Sequence, residues 1–420
     1  MTKKSTYNIL AIVQGDPNVN AGARLRIYNW ANDLHNYRKD IRVTLIVKPK
    51  KPDELRKKII SWANDSSVST IKVALVQKNY SIYSIGLLIY LKLKNIAIIQ
   101  DICDPPIKHF NPSPFTKSFF ATQYLGFVTR YLVDGIVTSS SALKRSFDSS
   151  NTYVRYIPDC IDNYPAIFQD IPKINDIRNK KITRLNLLWF GGAARRDSDA
   201  GIEELYSAVG ILNEISQHVE VHLTICTVLQ KEHYDKFKTF KDRLLSTTIT
   251  YIEWSLKSQS QCLNDCDFCF LPRLQSLSTF YKSPNRVILA KLHGKESITN
   301  FITSEDYANA GMINAGAFID QVKSGNLYIK SRQTVQNSVP KNWRKYSIIK
   351  SWIQFIDEIA MLSSKSSKKP RLNLSKYLLW ATYYLIVAMP KLYELKIFLR
   401  KIYRRIKYKI QGGPVDLSKE

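Results

Sequence analysis

Four short stretches of this sequence place cations, carboxylates and glycines where a phosphorylated ligand can be held. In the first, Gln14-Gly15-Asp16-Pro17 follows an apolar run and leads to Arg24 and Arg26 at the start of a helical pattern. A cation in a helix's first turn opposes the macrodipole, so Arg24 points to an anionic ligand or, read plainly, to a solvated helix start. The second, Asp101-Ile102-Cys103-Asp104-Pro105-Pro106, sets two carboxylates at the end of another apolar run. Asp101 and Asp104 suit holding a hydroxyl or acting as a base, although Asp before Pro is also an ordinary turn former.

The third stretch is Gly191-Gly192-Ala193-Ala194-Arg195-Arg196. Small residues let the backbone approach a ligand, and Arg195 and Arg196 supply charge for a diphosphate. The spacing is neither GxGxxG nor a P-loop with its lysine, which excludes the common dinucleotide and P-loop readings. In the fourth, Lys282-Ser283-Pro284-Asn285-Arg286, Ser283 reads as an N-cap and Pro284 as the first helical residue. Lys282, Ser283 and Asn285 then surround a helix start able to take an anion; as structure alone it is a well-capped helix.

The elements that must position these stretches alternate regularly. Strand patterns fall at 8–13, 42–47, 71–76, 96–101, 135–138 and 153–157, with helical patterns at 23–36, 54–64, 84–94 and 119–133 between them. After a polar stretch at 162–184 the alternation restarts, with strands at 186–190, 220–227, 248–252 and 268–271 and helices at 202–215, 231–245, 258–263 and 284–293. Solid apolar strands separated by helices indicate parallel sheets covered on both faces, which is a doubly wound α/β arrangement. At 420 residues the chain exceeds one ordinary core. We therefore expect two Rossmann-like domains, at 1–165 and 166–340, facing a cleft in which ligands bind at the carboxyl ends of the strands.

Three ordered motifs resemble the family-4 type of GT-B glycosyltransferase: Asp134-Gly135-Ile136-Val137-Thr138-Ser139-Ser140 with Tyr156-Ile157-Pro158-Asp159, the Phe190-Gly191-Gly192 loop, and Leu271-Pro272 with Lys282-Ser283-Pro284-Asn285-Arg286. The resemblance extends over roughly 5–362. It implies a nucleotide-sugar on the second domain, an acceptor on the first, and retention of anomeric configuration. Arg195 or Arg196 with Lys282 would neutralise the leaving diphosphate without a metal or other cofactor. It also implies that a helical block at 341–363 packs back across the domains. One departure concerns Leu289, which matches the position where the family places a ribose-binding glutamate, and a Gly-x-Pro turn after Gly294 is missing. A catalytically silent GT-B scaffold that binds a glycan or partner enzyme is therefore the alternative, and a sugar-nucleotide epimerase a third reading.

Cys262, Cys266 and Cys269 spell C-x3-C-x2-C, a spacing that resembles the iron–sulfur loop of radical S-adenosylmethionine enzymes. Too little chain follows for the barrel such a loop serves, and Cys269 lies inside an apolar run, so buried thiols are expected. With no export signal at the N-terminus, the six cysteines read as reduced and the protein as cytoplasmic. The net charge of +27 calls for a polyanionic partner. Much of it gathers in a tail at 364–420, where Arg400, Lys401, Arg404, Arg405, Lys407 and Lys409 flank an apolar helical stripe. The preceding apolar run, 377–390, is shorter than the about 20 residues that span a bilayer. An anionic membrane surface, met through 372–410, is thus the expected partner rather than nucleic acid, for which no module is present. The whole reads as a peripheral enzyme on the inner face of a bacterial cell membrane, moving sugar to a cell-surface glycan or lipid-linked acceptor in polysaccharide biosynthesis.

Overall fold

The computed structural model describes residues 6–18, 20–49, 52–65, 70–78, 82–104, 132–148, 152–161, 182–192, 201–229 and 231–366. Arg195, Arg196, most of the helix expected at 119–133 and all but the first residues of the tail at 364–420 lie outside them.

Two six-stranded sheets form the frame. The first comprises β1 (Thr6–Val13), β2 (Ile41–Val47), β3 (Thr70–Gln77), β4 (Ala97–Ile102), β5 (Gly135–Thr138) and β6 (Tyr153–Tyr156), in the order β2-β1-β3-β4-β5-β6. The second comprises β7 (Arg184–Phe190), β8 (Glu220–Thr227), β9 (Thr247–Glu253), β10 (Phe268–Phe270), β11 (Glu296–Thr299) and β12 (Ile313–Asn314), in the order β12-β11-β10-β7-β8-β9. All pairings are parallel. The two-domain α/β architecture read from the sequence is thus present.

Alternation of side chains explains why β1 is apolar throughout. Ile9, Ala11 and Val13 enter one core cluster, while Leu10 and Ile12 enter another on the opposite face. The same division holds in β7, where Leu187 and Trp189 pack on one side and Leu188 and Phe190 on the other.

Three helices matter for the site: α1 (Leu256–Asp265), α2 (Asn285–Leu292) and α3 (Lys345–Ser366). Cys262 lies on α1, Cys266 caps its end and Cys269 is on β10, all three buried among apolar neighbours. The helix expected at 23–36 is not continuous. It is built of Ala21–Ala23, a π-helical Arg24–Tyr28 and Asn29–Ala31, followed by a separate turn at Leu34–Tyr37. The wider turn goes with burial of four successive residues, Arg24 to Ile27, which no single face of an α-helix achieves.

The first domain is completed from the far end of the chain. Ile348, Ile349, Trp352, Phe355, Ile356 and Ile359 of α3 belong to the same buried cluster as β1, β3 and β4. Trp352 stacks on Trp30 with centroids 4.7 Å apart. Close approach is possible because β5 offers no side chain at Gly135, where a Cβ would stand 2.6 Å from Ile359 and 2.7 Å from Phe355. Truncating Trp352 to alanine is expected to cost about 3–5 kcal/mol, and Gly135→Ala about 1–3 kcal/mol through overpacking. Urea unfolding followed by tryptophan fluorescence measures both, and a Gly135→Ala midpoint equal to wild type would contradict this packing.

Candidate functional site

Between the two sheets a cavity of about 370 Å³ opens at the carboxyl ends of the strands. The first domain contributes Lys78, just beyond β3, and Asp104, just beyond β4. The second contributes Gly191 and Gly192 after β7, Arg273 after β10, and Lys282 to Arg286 ahead of and entering α2. The domains are stitched beside it. Ser140 Oγ donates to the Tyr281 carbonyl at 2.7 Å, Ser141 donates through its amide and hydroxyl to Asp306, and Asn285 Nδ2 donates to Asp159 at 3.3 Å.

The two carboxylates of the first domain have different fates. Asp104 lines the cavity and pairs with Lys78, whose backbone φ of 42° is left-handed and strained for a residue with a side chain. Asp101 lies beneath, fully buried, its Oδ1 accepting from Arg26 Nε at 3.0 Å and Nη2 at 2.6 Å. Arg26 also donates to the Ile157 carbonyl at 2.7 Å and pairs with Asp159. Burial opposes the Arg26 charge, yet Asp101 and Asp159 together hold its pKa above the ordinary arginine value. Burial pushes the Asp101 pKa up, and the adjacent Arg26 pulls it back. Asp101 is therefore a structural counter-charge, and Asp104 is the one of the pair that a ligand can reach.

Cations of the second domain are shared out unequally. Glu204, fully buried, receives Arg273 at 3.0 Å and Arg286 at 2.8 Å, so two arginines carry one net positive charge. Arg286 is also the reason for Gly191, where φ is +156° and a Cβ would lie 3.0 Å from its Nη1. The Lys282 ammonium has no hydrogen-bond or ion-pair partner among the described residues, and Lys282 lines the cavity. Removal from water lowers its ammonium pKa, against the pull of Asp104 and Glu204. Ser283 does not cap α2: Pro284 holds the cap position without a side-chain bond, and the buried Ser283 hydroxyl has no partner. Proline at the cap moves the helix start one residue on, which leaves that hydroxyl buried beside the cavity.

A second lobe of about 530 Å³ shares Gly191, Gly192, Asn285 and Arg286 with the first and is largely apolar. Arg24 belongs here. It donates to the Pro17 carbonyl at 2.9 Å and lies 5.9 Å over the Trp254 ring. Leu289 of α2 lines the same lobe, with Trp254 and Gln259.

Of the residues singled out from sequence, Asp104, Gly191, Gly192, Lys282, Ser283 and Asn285 come together around the first lobe, Arg24 borders the second, and Asp101 stands behind both. Lys78 and Glu204 were not singled out, and Asp159 only as the last residue of the Tyr156-Ile157-Pro158-Asp159 motif. Lys78 stands just past a strand end, the same position that drew attention elsewhere, whereas nothing in Glu203-Glu204 marks which glutamate is buried.

A chain of this topology has structural counterparts. AviGT4, a glycosyltransferase involved in avilamycin A biosynthesis, is 12% identical and superposes with a TM-score of 0.51, covering 84% of this chain and 98% of its own. The fold is GT-B. The Candida albicans trehalose-6-phosphate phosphatase N-terminal domain (11% identity, 86% and 98% covered, TM-score 0.49) and Staphylococcus aureus MnaA with UDP (12%, 84% and 96%, 0.46) are also similar. No protein-family model matches the sequence, and no curated protein does. In GT-B terms the cavity is the interdomain cleft.

Among the described residues Glu204 is the only carboxylate bound to both arginines, so its loss leaves the buried Arg273 and the half-buried Arg286 unbalanced. Glu204→Ala is expected to cost about 3–5 kcal/mol. Thermal unfolding checks this, and an unchanged melting temperature would show that the arginines do not depend on it.

Proposed function

We propose that this protein is a retaining glycosyltransferase that takes a nucleotide-sugar in the cleft and passes the sugar to a glycan or lipid-linked acceptor. The observation that carries the reading is Lys282, a half-buried cation with no ion-pair partner among the described residues, lining a cavity with two glycines in its wall. Such a group is costly unless a ligand supplies the missing negative charge. A diphosphate placed there meets Lys282 and the net charge of the Arg273–Glu204–Arg286 cluster, which stabilises it as a leaving group. In this reading those cations, with Arg195 and Arg196, do the work that a divalent ion does elsewhere. Asp104 and Lys78 line the opposite wall, where an acceptor hydroxyl would approach.

The test is a thermal-shift series with UDP-, GDP- and dTDP-sugars. At least one should raise the melting temperature of the wild type, and Lys282→Ala should lose the shift; no shift with any of them removes the reading. Burial lowers the Lys282 pKa in the folded chain, so its charge opposes folding at neutral pH, and that penalty fades as pH rises through the folded value. The anion requires the charged form. Affinity for the diphosphate should therefore fall as pH rises, and do so below the ordinary lysine range, while the empty protein gains stability.

A silent GT-B scaffold is the second reading, favoured by Leu289 and by Glu204, which offsets one of the two arginine charges. Nucleotide binding without turnover of any acceptor would select it.

Membrane placement, at the inner face of a bacterial cell membrane during surface-polysaccharide assembly, rests on the sequence of the tail. Among the described residues no helix is long and apolar enough to cross a membrane. Sedimentation with anionic vesicles should retain the full chain and release one truncated after 366; equal binding of both overturns the placement.

A further inference from the structure

Outside the cleft, an open groove of about 870 Å³ lies between β2, at the border of the first sheet, and the helix Pro52–Asn64. It shares no lining residue with either lobe of the cleft. Three exposed cations line it, Arg42 from the strand and Lys57 and Lys58 from the helix. None of the three has a hydrogen-bond or ion-pair partner among the described residues. Against them stands one lining carboxylate, Asp65. Like charges around a concavity reinforce one another's field and draw a polyanion.

The wall also suits sugar hydroxyls. Thr44, Leu45, Ile46 and Val47 are consecutive and all line the groove. Strand side chains alternate in direction, so four residues in a row bring main chain into the wall as well. The Asp40 carbonyl and the Lys48 amide bond to β1, which turns the main-chain groups of the alternate residues Leu45 and Val47 outward. Those groups, the Thr44 and Ser61 hydroxyls and the Asp65 carboxylate offer acceptors as well as donors. Sugar hydroxyls use both, and the cations take negative substituents. A lipid surface is served less well, because Val47 is the one exposed apolar residue in the lining.

The groove has a direction. Arg42 to Val47 covers about 17 Å of strand. Val47 pairs in register with Val13, the last residue of β1, and the loop after Val13 leads to Ala21 and Gly22 in the wall of the cleft. A chain lying along β2 therefore has one end on the cleft side. Resting on the glycosyltransferase reading, we propose that this groove holds the acceptor by its chain: an anionic glycan, bearing carboxylate or phosphate groups, lies along β2 and offers its growing end to the cleft.

Fluorescence anisotropy of the full chain with a labelled oligogalacturonate and a labelled glycerol-phosphate oligomer tests this. At least one should bind, and a neutral malto-oligosaccharide should bind about tenfold more weakly, the combined worth of three exposed ion pairs. Replacing Arg42, Lys57 and Lys58 together by alanine should weaken binding of the charged oligomer by about the same factor. Replacing Lys231, Lys238 and Lys241, exposed on the second domain, removes equal charge and should change it by less than about twofold. Equal losses in the two triple variants, equal binding of the neutral chain, displacement by inorganic phosphate at matched ionic strength, or binding of neither charged oligomer overturns the proposal. So does binding to anionic vesicles that the groove variant loses while it keeps the oligomers. Nucleotide-sugars should still raise the melting temperature of the groove variant. If they raise neither that of the variant nor that of the wild type while the oligomers bind, the glycosyltransferase reading falls and the groove stands as a glycan-binding site.

Discussion

Arg26 is the point from which the cleft is organised. Its guanidinium, almost fully buried, joins the carboxylate of Asp101 at the end of β4, the carbonyl of Ile157 after β6 and the carboxylate of Asp159. It also lies 5.9 Å over the Trp352 ring of α3. Three elements of the first domain and the returning helix are thus tied to one side chain. A buried ion pair of this kind contributes little net stability over apolar packing, but its geometry is demanding and its disruption severe. Its value is positional. Asp159, held on one side by Arg26, accepts from Asn285 on the other, so the second domain's helix α2 is aimed by a chain of contacts that begins in the first domain.

Charge within the cleft is arranged by the same economy. Among the described residues of the cleft, Lys78 pairs with Asp104, Arg26 with Asp101, and Arg273 and Arg286 share Glu204, while the Lys282 ammonium has no ion-pair partner. The pairings fix side chains in place before a ligand arrives, so that little reorganisation is left for binding. They also restrain the field, since a cleft with all five cations unpaired would be hard to keep closed.

Much of the frame was legible in the residues. The apolar runs of β1, β7 and β8 are long enough for periodicity to separate them from helices, and the expected range of β8 is the observed one. Strands β11 and β12 were not, because four and two residues carry no period and gain their identity from neighbours in the sheet. The site divided along similar lines. Glycine pairs and a lysine before proline advertise backbone approach and charge locally, so Gly191, Gly192 and Lys282 stood out. Which of Asp101 and Asp104 faces solvent depends on Arg26, 75 residues from Asp101, and no local pattern carries that. Ser283 misled for a related reason: a good capping residue was pre-empted by the proline after it.

The returning helix α3 has a consequence for how the chain comes into being. Domains generally fold as units while synthesis proceeds, the N-terminal one first. Here the face of the first sheet that carries Ile9, Val73 and Ile99 is covered in part by Ile27, Trp30 and Leu34, and the rest of its cover among the described residues comes from 348–360, more than 180 positions after β6 ends. Until the ribosome has released that segment, the nascent first domain exposes part of this apolar face. The first domain to emerge is therefore the last to be finished.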